Sequence, residues 1–281
     1  MNANLSPEQI DFYQEQGYII LEDFLTMEEV EHWRKVLDEA ILGRGNALLP
    51  DRKGLAHEAP DKGPEDRDNS YYGQVFQQRV NLWQDNPAVK ELILDPRIGK
   101  LATELEGVDG MRVWHDQALY KAPWSNPTSW HLDNVYWSFS SAHATSIWIA
   151  LDDVGPENGC LFFLPGTHKK QDFSVVPIGP SMPEVFETHP DFKGIEPAVG
   201  RMKAGSCSFH NGLTVHGATP NMTPRWRRAM TCGFMPLGST FNGKPNILSQ
   251  EQIAKLSIGD LLDDDEQNPI VYARTEEFAG V

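Results

Sequence analysis

The sequence contains few cysteines and fewer basic than acidic residues. Its 281 residues include three cysteines, Cys160, Cys207 and Cys232, which are too few and too widely spaced for a disulfide framework or a CxxC zinc site. Lysines and arginines number 24 against 40 aspartates and glutamates, a formal net charge of −16. Nucleic acids and anionic membranes bind clustered positive charge. The composition therefore disfavours both as partners, favours a small molecule, and leaves the oligomeric state open.

The sequence also lacks a long hydrophobic run. No apolar stretch approaches the roughly 18 residues that a membrane span requires, and the opening MNANLSPEQIDF has no basic region followed by an apolar core, as a signal peptide would. We therefore expect a soluble, cytoplasmic protein. With 40% hydrophobic residues, the chain can bury a large core, and one domain is expected over residues 1–281.

Helical signals dominate residues 1–110. Ser6 and Thr26 each stand three residues before a Gln or Glu, the pattern of a capping box, and they predict two helix starts. The second helix is expected to end near Gly43. A short strand is expected at 17–21, and further helices at 87–94 and 96–106.

Residues 43–69 read GRGNALLPDRKGLAHEAPDKGPEDRDN, which is rich in Gly, Pro and both signs of charge and has no periodicity. Structureless segments of this length inside a compact domain are usually binding loops, lids or disordered. We predict a long loop that is either a lid over a binding site or plain disorder.

Residues 111–240 have a different pattern, in which short β-rich runs alternate with Gly and Pro turns. This pattern predicts a sandwich or barrel core, followed by a C-terminal segment at 241–281. One of the turns, Glu157-Asn158-Gly159, is expected to need a positive φ at Gly159. The predicted strands are Arg112 to Tyr120, Ser146 to Leu151, Cys160 to Leu164, Ser206 to Phe209, Thr214 to His216 and Arg228 to Phe234.

The run NPTSWHLDNVYWSF places His131 and Asp133 two positions apart. On one strand such residues point to the same face, which suits either two metal ligands or a simple hydrogen-bonded pair. His216, in HNGLTVHGATPNMTPRWRRAM, follows another apolar strand and precedes an arginine cluster. Two histidines and one carboxylate form the facial triad of non-haem Fe(II) oxygenases. Zinc accepts the same donors, so a metal hydrolase or isomerase, or a non-catalytic barrel, remains an alternative.

The sequence resembles the phytanoyl-CoA dioxygenase family of Fe(II)- and 2-oxoglutarate-dependent oxygenases. The segments that carry the resemblance are LSPEQIDFYQEQGYIILEDFL, HLDN, SIWIALDDVGPENGCLFFLPGTHK and HGATPNMTPRWRRAM. The resemblance implies a mainly β fold with flanking helices around a double-stranded β-helix, the cupin-like jelly roll. It also implies a dioxygenase that uses Fe(II), 2-oxoglutarate and O2, with ascorbate in support. Such an enzyme hydroxylates a C–H bond of a small molecule and releases succinate and CO2.

The resemblance also assigns individual residues. It makes His131, Asp133 and His216 the iron ligands and Arg227 the partner of the distal carboxylate of 2-oxoglutarate. Arginine suits that role because its planar fork binds a carboxylate through two hydrogen bonds. Trp148 matches a position that borders the co-substrate in relatives, although an ordinary core tryptophan would look the same.

The sequence departs from the family pattern at one point. Some relatives carry a serine two residues after the distal histidine, where Ala218 stands here. Thr219, Gln117 or Tyr120 are candidates to bind the co-substrate in its place. Halogenases on this scaffold replace the ligand carboxylate with a small residue, so Asp133 implies hydroxylation. The other histidines, including His115 and His210, have no second ligand at strand spacing and are not predicted as ligands.

Overall fold

The computed structural model describes residues 1–45, 47–50 and 74–274. Most of the predicted loop at 43–69 therefore lies outside the described residues, and its role as a lid stays a prediction. Its first residues belong to a helix instead, because α2 (Met27–Arg44) continues past Gly43 and is followed by Gly45, which has a φ of 65°.

Both predicted capping boxes are present. Helix α1 (Pro7–Gln16) begins after Ser6, whose Oγ accepts from Gln9 N–H at 3.3 Å, while Gln9 Oε1 accepts from Ser6 N–H at 2.8 Å. Thr26 and Glu29 make the same two contacts at the start of α2, at 3.2 and 2.9 Å. Each pair satisfies donors that the first turn of a helix leaves free.

The remaining helices flank the sheets. Helices α3 (Pro87–Ile93) and α4 (Pro96–Glu106) confirm the predicted pair, and two short helices follow, α5 (Glu184–Thr188) and α6 (Gln250–Ile253). Among the described residues, none of the helices combines the length and the apolar character needed to cross a membrane. The three cysteines are all buried and unpaired.

Antiparallel strands form two sheets in the described part of the chain. The larger sheet has the order β1-β8-β5-β10-β3-β11, with β2 also paired to β3, and the smaller has the order β4-β9-β6-β7. The strands are β1 (Tyr18–Leu21), β2 (Gln77–Val80), β3 (Gly110–Tyr120), β4 (Thr128–His131), β5 (Thr145–Ala150), β6 (Leu161–Phe163), β7 (Ala198–Gly200), β8 (Cys207–Asn211), β9 (His216–Ala218), β10 (Ala229–Pro236) and β11 (Ile270–Ala273).

The fold is the expected double-stranded β-helix with flanking helices. Strands β3 to β10 fall within or next to the predicted core at 111–240. The larger sheet is wider than predicted, because β1 and β2 join it from the N-terminal part and β11 from the C-terminal segment.

Residues of β10 alternate between an apolar outer face and the interior of the barrel. Met230, Cys232 and Phe234 point outward into the cluster that packs under the helices. Thr231 and Gly233 point inward, since side chains on a strand alternate between its faces. A Cβ at Gly233 would lie 3.0 Å from the ring of Trp137. The outward face is therefore apolar, while the interior has room for polar side chains.

Candidate active site

The three predicted ligands converge between the two sheets. His131 is the last residue of β4 and pairs directly with His216, the first residue of β9. Nε2 of each ring lies 3.7 Å from Asp133 Oδ1, and one donor atom from each of the three lies within 4.8 Å of the others. Asp133 stands two residues beyond the end of β4. The expectation that one strand carries both His131 and Asp133 is therefore wrong, although the two side chains do meet.

Backbone contacts set the tautomers of both histidines. His131 Nδ1 lies 2.8 Å from Ser129 O, and His216 Nδ1 lies 3.0 Å from Thr214 O. A carbonyl can only accept, so each Nδ1 carries the proton and each Nε2 presents a lone pair. Burial, and then a neighbouring histidine, lower the pKa of both rings to about 4. Both imidazoles are therefore neutral at pH 7, as metal ligands must be.

The carboxylate of Asp133 is ionised. Burial alone would raise its pKa, but His216, His210 and His131 outweigh burial and hold the pKa well below its ordinary value. Its Oδ2 accepts from Ser146 Oγ at 2.8 Å and lies 3.4 Å from His210 Nε2. Two neutral imidazoles and one carboxylate carry a single negative charge and suit a divalent cation such as Fe(II).

A cavity of about 250 Å³ contains the triad and extends to Arg227. Arg227 is only 1% exposed. Its Nη1 donates to Leu119 O at 3.3 Å, and its Nε is buried without a partner. Among the described residues no carboxylate forms an ion pair with Arg227. Apolar and aromatic side chains line much of the remaining wall: Leu48, Phe76, Val80, Tyr136, Trp137, Ile178 and Ile247.

The surroundings of Arg227 are aromatic. Its Cζ lies 5.2 Å from the ring of Trp148 and 6.0 Å from that of Phe76. Burial lowers the pKa of Arg227 to about 9, so the side chain stays cationic at pH 7. Aromatic faces compensate a buried cation only in part, and a buried charge without a counterion is costly. The site therefore fits an anionic group that enters from the cavity.

The structure brings some predicted co-substrate residues to the cavity and excludes others. Trp148 and Gln117 line it, and the side chain of Gln117 bonds to that of Gln78 and lies 3.4 Å from His115 Nε2. Tyr120 is three positions after Gln117 and points to the opposite face of β3, where its hydroxyl donates to Asp38 Oδ1 at 3.0 Å. The prediction for Tyr120 is therefore corrected. Its ring lines a separate outer groove of about 850 Å³ that contains none of the triad.

Thr219 is also turned away from the cavity. Ala218 lines the cavity, and successive residues of an extended chain point to opposite sides. The Thr219 hydroxyl accepts from Gly159 N–H at 3.1 Å and so holds the Glu157-Asn158-Gly159 turn. Gly159 has the expected positive φ, 94°. Thr219 therefore supports this turn and does not replace the missing serine.

Ser146, Lys121 and His210 lie at the site but were not predicted from the sequence. Ser146 on β5 faces the interior of the barrel. Alternation along this strand could have predicted that it lies on the same face as Trp148. Lys121 is fully buried next to Arg227, and only the fold brings these two basic side chains together. His210 is a core histidine beside the triad, in agreement with its exclusion from the ligands.

This combination of fold, donor set and buried cation defines the class of protein. The chain is a non-haem iron dioxygenase with Fe(II) and 2-oxoglutarate as cofactors. Sequence comparison narrows the class: the model of the family described as Phytanoyl-CoA dioxygenase (PhyH) matches residues 13–229. The chain therefore belongs to the phytanoyl-CoA dioxygenase family.

Individual relatives share about a quarter of their residues with this chain. A phytanoyl-CoA dioxygenase of Arabidopsis thaliana is 26% identical over 255 residues, which cover 82% of this chain and 88% of the relative. A methylphosphonate hydroxylase of Gimesia maris is 26% identical over 231 residues, 82% of this chain and 80% of the relative. Among solved structures, the α-ketoglutarate-dependent carbocyclase SnoK from nogalamycin biosynthesis superimposes with a TM-score of 0.74 at 26% identity, covering 95% of this chain and 96% of SnoK.

Proposed function

We propose that the protein hydroxylates a C–H bond of a small molecule, with consumption of 2-oxoglutarate and O2 and release of succinate and CO2. The observation that carries the proposal is the buried, unpaired guanidinium of Arg227 in the same cavity as the triad. The chemistry of a metal hydrolase or isomerase does not require such a cation, whereas the distal carboxylate of 2-oxoglutarate needs a cationic partner. A non-catalytic barrel would have no reason to keep a complete, correctly protonated donor set.

The triad, Arg227 and Trp148 then have defined tasks. His131 Nε2, Asp133 Oδ1 and His216 Nε2 would hold Fe(II) on one face and leave its other positions open. Bound iron and 2-oxoglutarate together supply the oxidant that attacks an unreactive C–H bond. Arg227 binds and orients the co-substrate through a charge-assisted hydrogen bond. Trp148 covers the guanidinium and keeps water from it, which strengthens that bond.

The part of the cavity beyond the triad supports a substrate without charge at its reacting end. Among the described lining residues, the only ionised groups are Asp133 and Arg227. Burial lowers the pKa of His115, which is therefore neutral, and its Nδ1 is buried without a partner. Against it lies the ring of Trp137, at 5.7 Å between centroids. An uncharged substrate that can hydrogen-bond to polar side chains fits this lining.

The names of relatives agree with a small molecule and span very different ones. They include a methylphosphonate hydroxylase and a carbocyclase of nogalamycin biosynthesis. Hydroxylation is favoured over halogenation because Asp133 supplies the carboxylate that halogenases lack. With a substrate that stimulates turnover, the product should gain oxygen even in high chloride, and a chlorinated product seen by mass spectrometry would overturn this choice.

The decisive test is succinate release from anaerobically purified protein. Wild-type protein given Fe(II), ascorbate, O2 and 2-oxoglutarate should release succinate, and the His216→Ala variant should not. Protein loaded with Zn(II) should also release none. Equal succinate release from wild type and His216→Ala, or from protein loaded with Fe(II) and with Zn(II), would reject the proposal.

A further inference from the structure

The Asp133 side chain is not oriented by the β-ladder. Strand β4 ends at His131, and its pairing with β9 is already irregular between Thr128 and His131. Asp133 lies in the turn that follows, where its carbonyl accepts from Tyr136 N–H at 3.1 Å. A side chain in such a turn can rotate unless other groups hold it. A ligand carboxylate, however, must present one particular oxygen to the metal.

Two residues of the opposite sheet hold the carboxylate of Asp133. Ser146 on β5 and His210 on β8 are direct partners across these adjacent strands, so their side chains lie side by side. Both reach Oδ2 of Asp133, Ser146 Oγ at 2.8 Å and His210 Nε2 at 3.4 Å. The contact bridges the two sheets, because Asp133 follows a strand of the smaller one.

The contacts of Ser146 and His210 show which of their atoms face the carboxylate. An ionised carboxylate only accepts, so the Ser146 hydroxyl donates to it. His210 Nδ1 is buried with no partner, and Nε2 is the ring nitrogen that faces Asp133, at 3.4 Å from Oδ2. The ring itself is fixed, with its centroid 4.3 Å from that of His216 and 5.7 Å from that of Phe163.

The two carboxylate oxygens therefore have different surroundings. Oδ2 is occupied by Ser146 and His210, whereas Oδ1 lies 3.7 Å from Nε2 of both His131 and His216. We propose that Ser146 and His210 are positioning residues that hold Asp133 as a ligand through Oδ1 alone. On an octahedral ion, a carboxylate that bound through both oxygens would fill a fourth position. Holding Oδ2 away keeps three positions open for co-substrate and O2.

The test uses the metal alone, so it is independent of turnover and of the proposed function. Mn(II) binding to metal-free protein, without 2-oxoglutarate, is measured from the electron paramagnetic resonance signal of free Mn(II). Ser146→Ala should weaken binding roughly 10- to 100-fold, as loss of such a supporting contact does. Ser208→Ala is the matched control, because Ser208 is also buried on β8 and its hydroxyl has no partner. It should bind Mn(II) like wild type.

Variants of His210 separate positioning from direct ligation. His210→Gln keeps an N–H donor at a similar reach and should retain most of the Mn(II) affinity, whereas His210→Leu should weaken binding as Ser146→Ala does. Circular dichroism and thermal unfolding of the metal-free variants check that each is folded. Wild-type affinity in Ser146→Ala would overturn the proposal. So would equal loss in His210→Gln and His210→Leu, which would make His210 a ligand. Failure of succinate release in wild type would bear on the proposed function only.

Discussion

Lys121 and Arg227 face one another across an isolated antiparallel bridge, in which Lys121 N–H donates to Arg227 O at 2.9 Å and Arg227 N–H to Lys121 O at 3.0 Å. Both side chains are buried, and both lie near the ring of Phe76, at 4.6 Å for Lys121 Nζ and 6.0 Å for Arg227 Cζ. In the described ranges neither forms an ion pair with a carboxylate. Two buried basic side chains without a carboxylate partner make this corner of the barrel favourable for an anion.

The affinity for 2-oxoglutarate should depend on Arg227 and not on Arg225 or Arg228. Removing one partner of a buried, hydrogen-bonded charge pair costs on the order of 2–5 kcal/mol, so Arg227→Met should weaken binding accordingly. Arg227→Lys should lose less affinity than Arg227→Met, because lysine keeps the positive charge although it lacks the planar fork. Isothermal titration of Mn(II)-loaded protein with 2-oxoglutarate, under anaerobic conditions, gives the dissociation constants.

Arg225→Met is the control for this prediction. Arg225 is exposed and lines the outer groove, and Arg228 in the same cluster pairs with Asp152 at 2.8 Å. If Arg225→Met or Arg228→Met loses the affinity while Arg227→Met keeps it, the co-substrate does not bind at the end of the cavity.

The charge state of Lys121 should be visible in the pH dependence of stability. Burial, and then Arg227, lower the pKa of Lys121 from 10.5 to about 6, so the folded protein holds a neutral amine at pH 7 that still donates to Asn126 O at 2.6 Å. The unfolded chain keeps this lysine protonated up to about pH 10. Between these values the unfolded state binds more protons, and the free energy of unfolding rises with pH.

Lys121→Met removes this contribution. Urea denaturation of metal-free protein at pH 7, 8 and 9 should show a steeper rise in the free energy of unfolding for wild type than for Lys121→Met. Parallel slopes for the two proteins would mean that Lys121 is charged in the folded state.

The resemblance to the family, together with the residue pattern, pointed to the triad and to Arg227, and the structure places these residues around one cavity. Alternation along β3 also separates Gln117, which faces the cavity, from Tyr120, which does not, and the sequence could have excluded Tyr120. The local pattern likewise predicted the capping boxes at Ser6 and Thr26, since these depend on neighbours three residues away.

Other features depend on contacts that are distant in the sequence. The end of β4 at His131 is set by its pairing with β9, so the position of Asp133 beyond the strand could not be read from the HxD spacing. Ser146 and His210 meet Asp133 only because the two sheets face each other. The wider sheet has the same cause: β1, β2 and β11 find their partners on strands far away in the chain.

Metal affinity should be resistant to mild acid. An ordinary histidine has a pKa near 6.5 and would lose a metal to protons below that pH, but burial lowers the pKa of His131 and His216 to about 4. The dissociation constant for Mn(II) should therefore change little between pH 7.5 and 5.5. The stability of the metal-free protein should fall over the interval from about pH 6.5 to 4, because only the unfolded chain takes up the protons there. A large loss of Mn(II) affinity by pH 5.5 would show that the rings titrate normally.

The turn at Gly159 should be coupled to the co-substrate site through Lys121. Gly159 has a φ of 94°, and a Cβ there would lie 2.6 Å from Lys121 Cδ. Gly159→Ala therefore combines backbone strain of about 1–2 kcal/mol with overpacking of about 1–3 kcal/mol. Gly238 has a φ of 80°, and a Cβ there would meet no atom within 4 Å, so Gly238→Ala carries the strain alone.

Two measurements separate the effects in these glycine variants. Urea denaturation should show a larger loss of stability for Gly159→Ala than for Gly238→Ala. Because the displaced Lys121 side chain lies beside Arg227, Gly159→Ala should also weaken 2-oxoglutarate binding in anaerobic titration, whereas Gly238→Ala should leave it unchanged. Equal stabilities and equal affinities in the two variants would show that the turn and the co-substrate site are independent.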